Sequence, residues 1–323
     1  MPSDVDAGQP ESTDVPMFEH VVSDALALNS SVSISGQPAR HTPPLPAVEE
    51  APLGPGRAAW ITAASPFKNG LNEDAVAHLP LGAEQGLLMV ADGLGGHKDG
   101  HHASQLIRSL LMKTARQFVR RPPPLMISKV VPIPERPRHG VPSQNDLRTP
   151  ILDAIELANR RLLRSRAGSA TTLALVEVNG RQVRSYHIGD SEILVVSQRG
   201  RLKFSSVSHS PIGYAVESGI LTEEQALFHP DRHLVSNVIG SEQMSVELGP
   251  WMTLAPRDTV LIASDGLFDN LMQYEIIELI RKGKLAESLQ ELASMAWQRM
   301  LHPEGDCPSK PDDLSILAYR TQA

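Results

Sequence analysis

What most constrains the fold of this chain is where its acidic residues fall: at the ends of short apolar runs. The run from Gly86 to Ala91 leads straight into Asp92 and Gly93, and the run from Thr259 to Ala263 leads through Ser264 into Asp265 and Gly266. Asp190 follows Ile188 and Gly189 at the end of a third run. Glu73 and Asp74 open a fourth, and Asp312 and Asp313 open the last, Leu314 to Tyr319. Apolar runs of this length bounded by turn residues read as buried strands. Loops at one edge of a sheet sandwich bring such acids together, and carboxylates that close repel one another unless a cation neutralises them. Asp-Gly pairs are also ordinary turn formers, so the argument rests on the recurrence rather than on any one pair.

The remaining segments supply the sandwich. Strands are predicted over 58–64, 74–79, 86–91, 171–178, 183–188, 192–196, 202–204, 259–263 and 314–319. Asn179 and Gly180 form a dipeptide suited to a tight hairpin, and Arg199 with Gly200 marks a second turn. Apolar residues at helical spacing predict helices over 103–120 (Leu106, Ile107, Leu110, Leu111, Val119) and 151–166 (Ile151, Ile155, Ala158, Leu162). Two more are predicted over 273–281 and 285–300. Hairpin-connected strands with helix pairs between them make an α+β domain of packed sheets covered by helices.

Residues 1–56 are rich in Pro, Ser, Ala and acidic groups without sustained periodicity, and read as a flexible low-complexity N-terminal extension. Within it, residues 21–34 suit either one strand or one short helix. The folded domain is assigned to 57–322, with clustered prolines marking 121–150 as a Pro-rich insertion. A formal net charge of -7 argues against a general nucleic-acid binder. It does not exclude a phosphorylated substrate, because bound metal reverses local charge. The single cysteine, Cys307, rules out an internal disulfide framework and a Cys-rich zinc site, and suits a reducing cytoplasm. No apolar run approaches the ~20 residues of a membrane span, and the residues from Met1 onward lack a secretion signal. The expectation is a cytoplasmic protein with neither nucleic acid nor membrane as partner.

Oxygen ligands without Cys, and with few candidate histidines, favour hard ions such as Mg²⁺ or Mn²⁺ over zinc. A pair of such ions polarises a phosphoryl oxygen and lowers the pKa of a bridging water toward neutrality. Glycine after Asp92 lets the backbone turn sharply and offers the Gly93 carbonyl as a further ligand.

In their order along the chain, these motifs resemble those of the metal-dependent Ser/Thr protein phosphatases of the 2C type, in bacterial form. The resemblance runs from about Ala58 to Arg320. It is carried by Asn72 to Ala75, Val90 to His97, Gly168 to Thr172, His187 to Ser191, Ala263 to Leu267 and Asp312 to Ser315. It implies a four-layer α/β/β/α sandwich, two central antiparallel sheets flanked by helix pairs. It further implies that Asp92 bridges two Mn²⁺ or Mg²⁺ ions with the Gly93 carbonyl on one of them, and that Asp265 and Asp312 complete the first. Glu73 and Asp74 would hold the second, largely through water, and Asp190, shared with Asp265, would bind a third, weaker ion. Asp92, Asp265 and Asp312 form the implied catalytic set. Residues 205–240 resemble the family's flap beside the active site. Thr222 as N-cap, with Glu224 and Gln225 in the first turn, also suits a plain helical lid there.

Three departures bear on substrate. Relatives carry an arginine shortly before the first acidic motif, where it grips phosphate; here Asn69 holds that position. Lys68 beside it supplies a point charge without the planar fork. Leu94 stands where many eukaryotic relatives have His, and His97 lies further along, suited to substrate contact or to a structural role. Asp313 replaces the Asn that usually follows Asp312. Lys68, His97 and Asp313 are therefore the candidate phosphate- and substrate-binding residues. The activity implied is hydrolysis of phosphoserine and phosphothreonine on proteins by attack of a metal-bridging water. No phosphoenzyme is expected, since no activated Cys or Ser nucleophile is evident. The setting implied is signalling opposite a Ser/Thr kinase, by a monomer. The alternatives are a catalytically silent module that recognises phosphoproteins and a phosphomonoesterase for small metabolites. Retention of Asp92, Asp265 and Asp312 favours the enzyme, and the long flap favours protein substrates.

Overall fold

A computed structural model describes residues 44–95, 98–120, 146–165, 167–304 and 307–322. The 21–34 segment, most of the Pro-rich insertion (121–145) and His97 lie outside the described residues. Two six-stranded antiparallel sheets are formed. The first runs β1 (Glu49–Leu53), β2 (Gly56–Ala63), β14 (Leu314–Thr321), β13 (Thr259–Ala263), β9 (Glu192–Val196), β10 (Leu202–Ser205). The second runs β11 (Glu247–Leu248), β8 (Gln182–Ile188), β7 (Leu173–Asn179), β4 (Gln85–Ala91), β3 (Ala75–Pro80), with β12 (Met252–Thr253) also pairing β8. A ribbon of β5 (Gly93–Leu94) and β6 (Ala170–Thr171) stands apart from both.

The period-two alternation of each strand divides its side chains between layers. Leu87, Met89 and Ala91 of β4 pack on α1 (Lys98–Arg120) and α2 (Arg148–Ser165), while Leu88 and Val90 face the other sheet. In the first sheet, Leu261 and Ala263 of β13 and Ile316 and Ala318 of β14 meet α5 (Asp265–Phe268), α6 (Gln273–Ile280) and α7 (Leu285–Leu301). Val260, Ile262, Leu317 and Tyr319 fill the space between the sheets. The order is therefore helix, sheet, sheet, helix, the four-layer α/β/β/α sandwich expected. Each fully buried Leu, Ile or Val stabilises it by about 1.5–3 kcal/mol relative to exposure, so a core poor in aromatics suffices.

Three boundaries differ from the sequence reading. The N-terminal extension cannot reach residue 56, because Glu49–Leu53 pairs with β2 from Glu49↔Trp60 to Leu53↔Gly56. β1 is an edge strand with Leu53 as its one fully buried residue and a Pro at 52. Edge strands tolerate proline and bury little, so its apolar pattern is faint. The helix predicted from 103 begins at Lys98, since His101 Nδ1 and Ser104 Oγ donate to the carbonyls of Asn72 (2.7 Å) and Glu73 (2.5 Å). The helix predicted from 151 begins at Arg148, and takes Pro150 into its first turn, where its missing N–H is harmless. The flap contains α3 (Pro211–Glu217) and α4 (Glu223–Leu227). Ser210 caps the first, accepting from the Gly213 N–H at 2.8 Å. Thr222 and Gln225 form a reciprocal capping box on the second, as the Thr222 reading anticipates.

Candidate metal centre

Strand register carries the acids to one edge. Ala75 pairs with Ala91, so Asp74 and Asp92 are next to each other at the end of β3 and β4. Ala263 pairs with Glu192 on one side and with Ile316 on the other, which brings the Asp190, Asp265 and Asp312 segments to the same end. Asp92 is held by its backbone. Its N–H donates to Thr172 Oγ1 (2.9 Å), and its carbonyl accepts from Thr171 Oγ1 (2.7 Å) and the Thr172 N–H (2.9 Å). Thr172 Oγ1 lies 2.7 Å from Ser191 Oγ, linking Asp92 to the turn that presents Asp190. That turn needs Gly189: its φ is +101°, and a Cβ there would fall 2.6 Å from Thr172 Cγ2. Ser264 Oγ donates to Asp74 Oδ2 at 2.8 Å and ties the two sheets together at the site.

Several of these carboxylates are incompletely satisfied. Glu73 Oε1, Asp74 Oδ1, Asp190 Oδ1 and Asp265 Oδ1 are buried with no hydrogen-bond partner among the described residues. Leaving one buried polar atom unpaired costs about 1–3 kcal/mol, more when it is charged. Burial pushes the Asp92 carboxyl well above its usual range, and Asp74, Asp265, Asp312 and Asp190 push it further. Burial, then Asp265, raises Asp190 to about 8 and Asp312 to about 7. Asp74 is raised by burial and by Asp313, against hydrogen bonds from Ser315 and Ser264. A Cβ on Gly100 would lie 2.5 Å from both Glu73 Oε1 and the Gly93 carbonyl oxygen, so these two oxygens flank one point beside the cluster. Orphaned carboxylate oxygens beside a backbone carbonyl, with no sulfur or imidazole among them, fit hard divalent cations.

Glu73, Asp74, Asp92, Gly93, Asp190, Asp265 and Asp312 are thus brought together at this edge. Asp313 is not available to phosphate. It is 3% exposed, with Oδ1 accepting from the Ser65 N–H (2.7 Å) and Oδ2 from the Glu73 N–H (2.6 Å) and Lys68 Nζ (2.7 Å). Lys68 also pairs with Glu73 Oε2. Both residues brace the loop that carries Glu73 and Asp74, and Asp313, an acid buried among donors, has no oxygen left to repel or bind a ligand.

Three neighbours of the cluster escaped the sequence reading. Lys310 Nζ sits 2.5 Å from Asp265 Oδ2 and 2.6 Å from Asp269 Oδ2. Burial pulls its ammonium down, but Asp265, Asp269 and Asp312 outweigh that and hold it above its ordinary value. Glu192, beside Asp190, is raised to about 8 by burial and then by Asp190, Asp269 and Glu223. A cavity of about 270 Å³ opens under the flap, between Asp190, Asp265 and Asp269 on one side and Ser210, Ile212 and Leu227 on the other.

A separate cluster joins the flap to the Asp190 turn. Among the described residues, His187, His209 and Glu247 form the group of three whose ligand-type atoms all lie within 4.8 Å of one another. Its hydrogen bonds argue against a metal. The Gly189 N–H (3.2 Å) and Asn237 Nδ2 (2.9 Å) both donate to His209 Nδ1, which leaves the ring proton on Nε2, where it is given to Glu247 Oε2 (3.1 Å). A metal at Nε2 would displace that proton and leave Nδ1 facing two donors. The cluster reads instead as a latch between flap and sheet.

A two-sheet sandwich with a buried all-oxygen cluster at one edge defines a protein built to bind hard divalent cations. A model of the family "Protein phosphatase 2C" matches residues 67–302, and the chain belongs to that family. Over 232 residues it is 25% identical to protein phosphatase PhpP of Streptococcus pneumoniae serotype 2, covering 70% of this chain and 85% of PhpP. The structure of serine/threonine phosphatase Stp1 from Staphylococcus aureus superposes with a TM-score of 0.65 at 22% identity, over 88% of this chain and 99% of that one. The catalytic domain of the serine/threonine phosphatase PstP, in complex with two manganese ions, superposes with a TM-score of 0.61 at 23% identity, over 83% and 99%.

Proposed function

We propose that this chain hydrolyses phosphoserine and phosphothreonine esters of proteins with the help of divalent metal. The observation that carries this reading is the set of four buried, unpaired carboxylate oxygens at one sheet edge, two of them on residues, Asp190 and Asp265, that line an open cavity. Asp92, the Gly93 carbonyl, Asp265 and Asp312 would hold one ion, and Asp92 with Glu73 and Asp74 a second. By the resemblance, Asp190 with Asp265 would be the pair for any third, weaker ion. Mn²⁺ or Mg²⁺ bound there supplies Lewis acidity toward a phosphoryl oxygen and toward water.

The chain's own residues supply the preorganisation. Thr171, Thr172 and Ser264 fix Asp92 and Asp74 by the hydrogen bonds given above, so the carboxylates need not reorganise as charge develops. Cys307, the sole thiol, is exposed and takes no part in the cluster, and Ser264 is fully buried against Asp74. The phosphoryl group accordingly passes to water and not to a side chain. The flap covers the cavity and is the element placed to choose among phosphoproteins. A Ser/Thr kinase that makes these esters is the partner the reading implies. Action as a monomer in the cytoplasm completes it. Among the described residues, no helix is long and apolar enough to cross a membrane.

The direct test is hydrolysis of p-nitrophenyl phosphate and of a phosphothreonine peptide with Mn²⁺, with EDTA, and by Asp92→Asn. Activity should require metal and fall by roughly a hundredfold or more in the variant, the scale of losing one preorganised charge-stabilising group. A folded protein inactive with every divalent metal would sink the reading. Faster turnover of small phosphorylated metabolites than of the peptide would move it to the small-molecule class.

A further inference from the structure

We propose that Lys310 is a built-in cation of the centre, holding by its ammonium the Asp265–Asp269 side of the cluster, next to the Asp190–Asp265 pair where a third divalent ion would otherwise sit. The inference rests on the metal-dependent reading above and refines its ion count. Lys310 Nζ is 2.5 Å from Asp265 Oδ2, 2.6 Å from Asp269 Oδ2 and 3.6 Å from Asp312 Oδ2. The ammonium therefore touches two residues assigned to the first ion, together with Asp269, which no ion of the two-metal arrangement needs.

The position is built rather than incidental. The Lys310 N–H donates to Asn270 Oδ1 and its carbonyl accepts from Asn270 Nδ2, both at 2.8 Å. Asn270 is fully buried and also donates to the Gly266 carbonyl at 2.9 Å, one residue from Asp265. One side-chain amide thus fixes the Lys310 backbone and the Asp265 turn to each other. A surface lysine that strayed into the site would not have its backbone clamped on both sides.

The rest of the cluster shows what the ammonium leaves free. Asp265 Oδ1 and Asp190 Oδ1 remain buried and unpaired, while Asp265 Oδ2 and Asp269 Oδ2 are taken. An ion shared by Asp190 and Asp265 must then bind next to a fixed positive charge, or displace it. At separations of a few ångströms inside a protein that repulsion is large compared with thermal energy. The chain accordingly loads two divalent ions and holds its own positive charge against the third position.

The test counts ions rather than turnover. Mn²⁺ bound at saturation is measured by calorimetry and by metal analysis after equilibrium dialysis, on wild type, Lys310→Met and Lys310→Arg. Wild type and Lys310→Arg should bind two ions. Lys310→Met should bind a third, or show third-ion affinity tighter by about tenfold or more. Three ions on wild type overturn the proposal whether or not either variant folds, as does a folded Lys310→Met that still binds two. Wild type that binds no Mn²⁺ overturns the metal-dependent reading itself, a different failure from three ions on an active enzyme.

Discussion

Lys68 and Asp313, 245 residues apart, form an ion pair of 2.7 Å whose acid is all but fully buried. Each looks like a separate departure from the family's pattern, and in three dimensions they are one feature. The charge that Asp313 adds is met by the charge that Lys68 brings, and together they hold the loop from Ser65 to Glu73 against the start of β14.

Replacing Lys68 alone should therefore cost more than replacing the pair. Lys68→Met strands a buried carboxylate, a loss of roughly 3 kcal/mol at most, reduced because the lysine is partly exposed. The Lys68→Met, Asp313→Asn double variant should recover part of it, with a coupling of about 1 kcal/mol or more in a denaturation cycle. Additive single effects would mean that the pair is incidental.

Stripped of metal, the protein should lose stability as pH rises. Asp190 (about 8) and Asp312 (about 7) are both raised in the folded state. The folded protein therefore keeps protons that the unfolded chain has released above about pH 4. Their contribution is full at low pH and is lost as pH climbs through the folded values. In EDTA the Tm should fall between about pH 5 and pH 8.5, and excess Mn²⁺ should remove most of that slope. A flat profile in EDTA contradicts the carboxylate cluster.

The flap latch titrates in the opposite sense. Burial, then His187, lowers the pKa of His209, against Glu247. Tyr214, with its ring centroid 6.4 Å away, is the other titratable group facing it. A depressed base stabilises the fold above its unfolded value and loses that stability as pH falls through its folded one. Protonating Nδ1 sets the new proton against the Gly189 and Asn237 donors. Amide exchange across Ser208–Gly240 should be faster at about pH 5 than at pH 7 after correction for intrinsic rates, and His209→Gln should lessen the difference. Equal corrected rates would exclude the latch.

Glu177 anchors α2 from inside the second sheet. It is 1% exposed and accepts from Arg184 Nε (3.1 Å), Arg184 Nη2 (2.7 Å), Tyr186 Oη (2.8 Å) and the Leu147 N–H (3.3 Å). Glu177→Ala leaves Arg184 half paired, on Asp146 alone, and should cost about 3–5 kcal/mol by urea unfolding. A loss under about 1 kcal/mol would show that the network is not structural.

Most of the sandwich is legible in the sequence because each strand carries its own alternation and each helix its own stripe. The run from Leu87 to Ala91 states both of its faces without reference to any other segment. β1 is not legible, since an edge strand that buries mainly Leu53 has little pattern to show, and its membership is decided by pairing with β2. The acids are legible as candidates because each sits at the tip of a locally readable strand. Their common edge follows only from register, such as Ala75 opposite Ala91.

The sequence by itself determines the strands, the helices and the donor chemistry of Asp92, Asp190, Asp265 and Asp312, because these depend on neighbours a few residues away. Only the tertiary structure decides which charges meet: Lys68 with Asp313, Lys310 with Asp265 and Asp269, His209 with Glu247. Those pairings join residues from 38 to 245 positions apart. Nothing in the local pattern of a lysine or an aspartate tells which distant charge will compensate it. That is settled when burial removes water and leaves each ion to find its partner within reach.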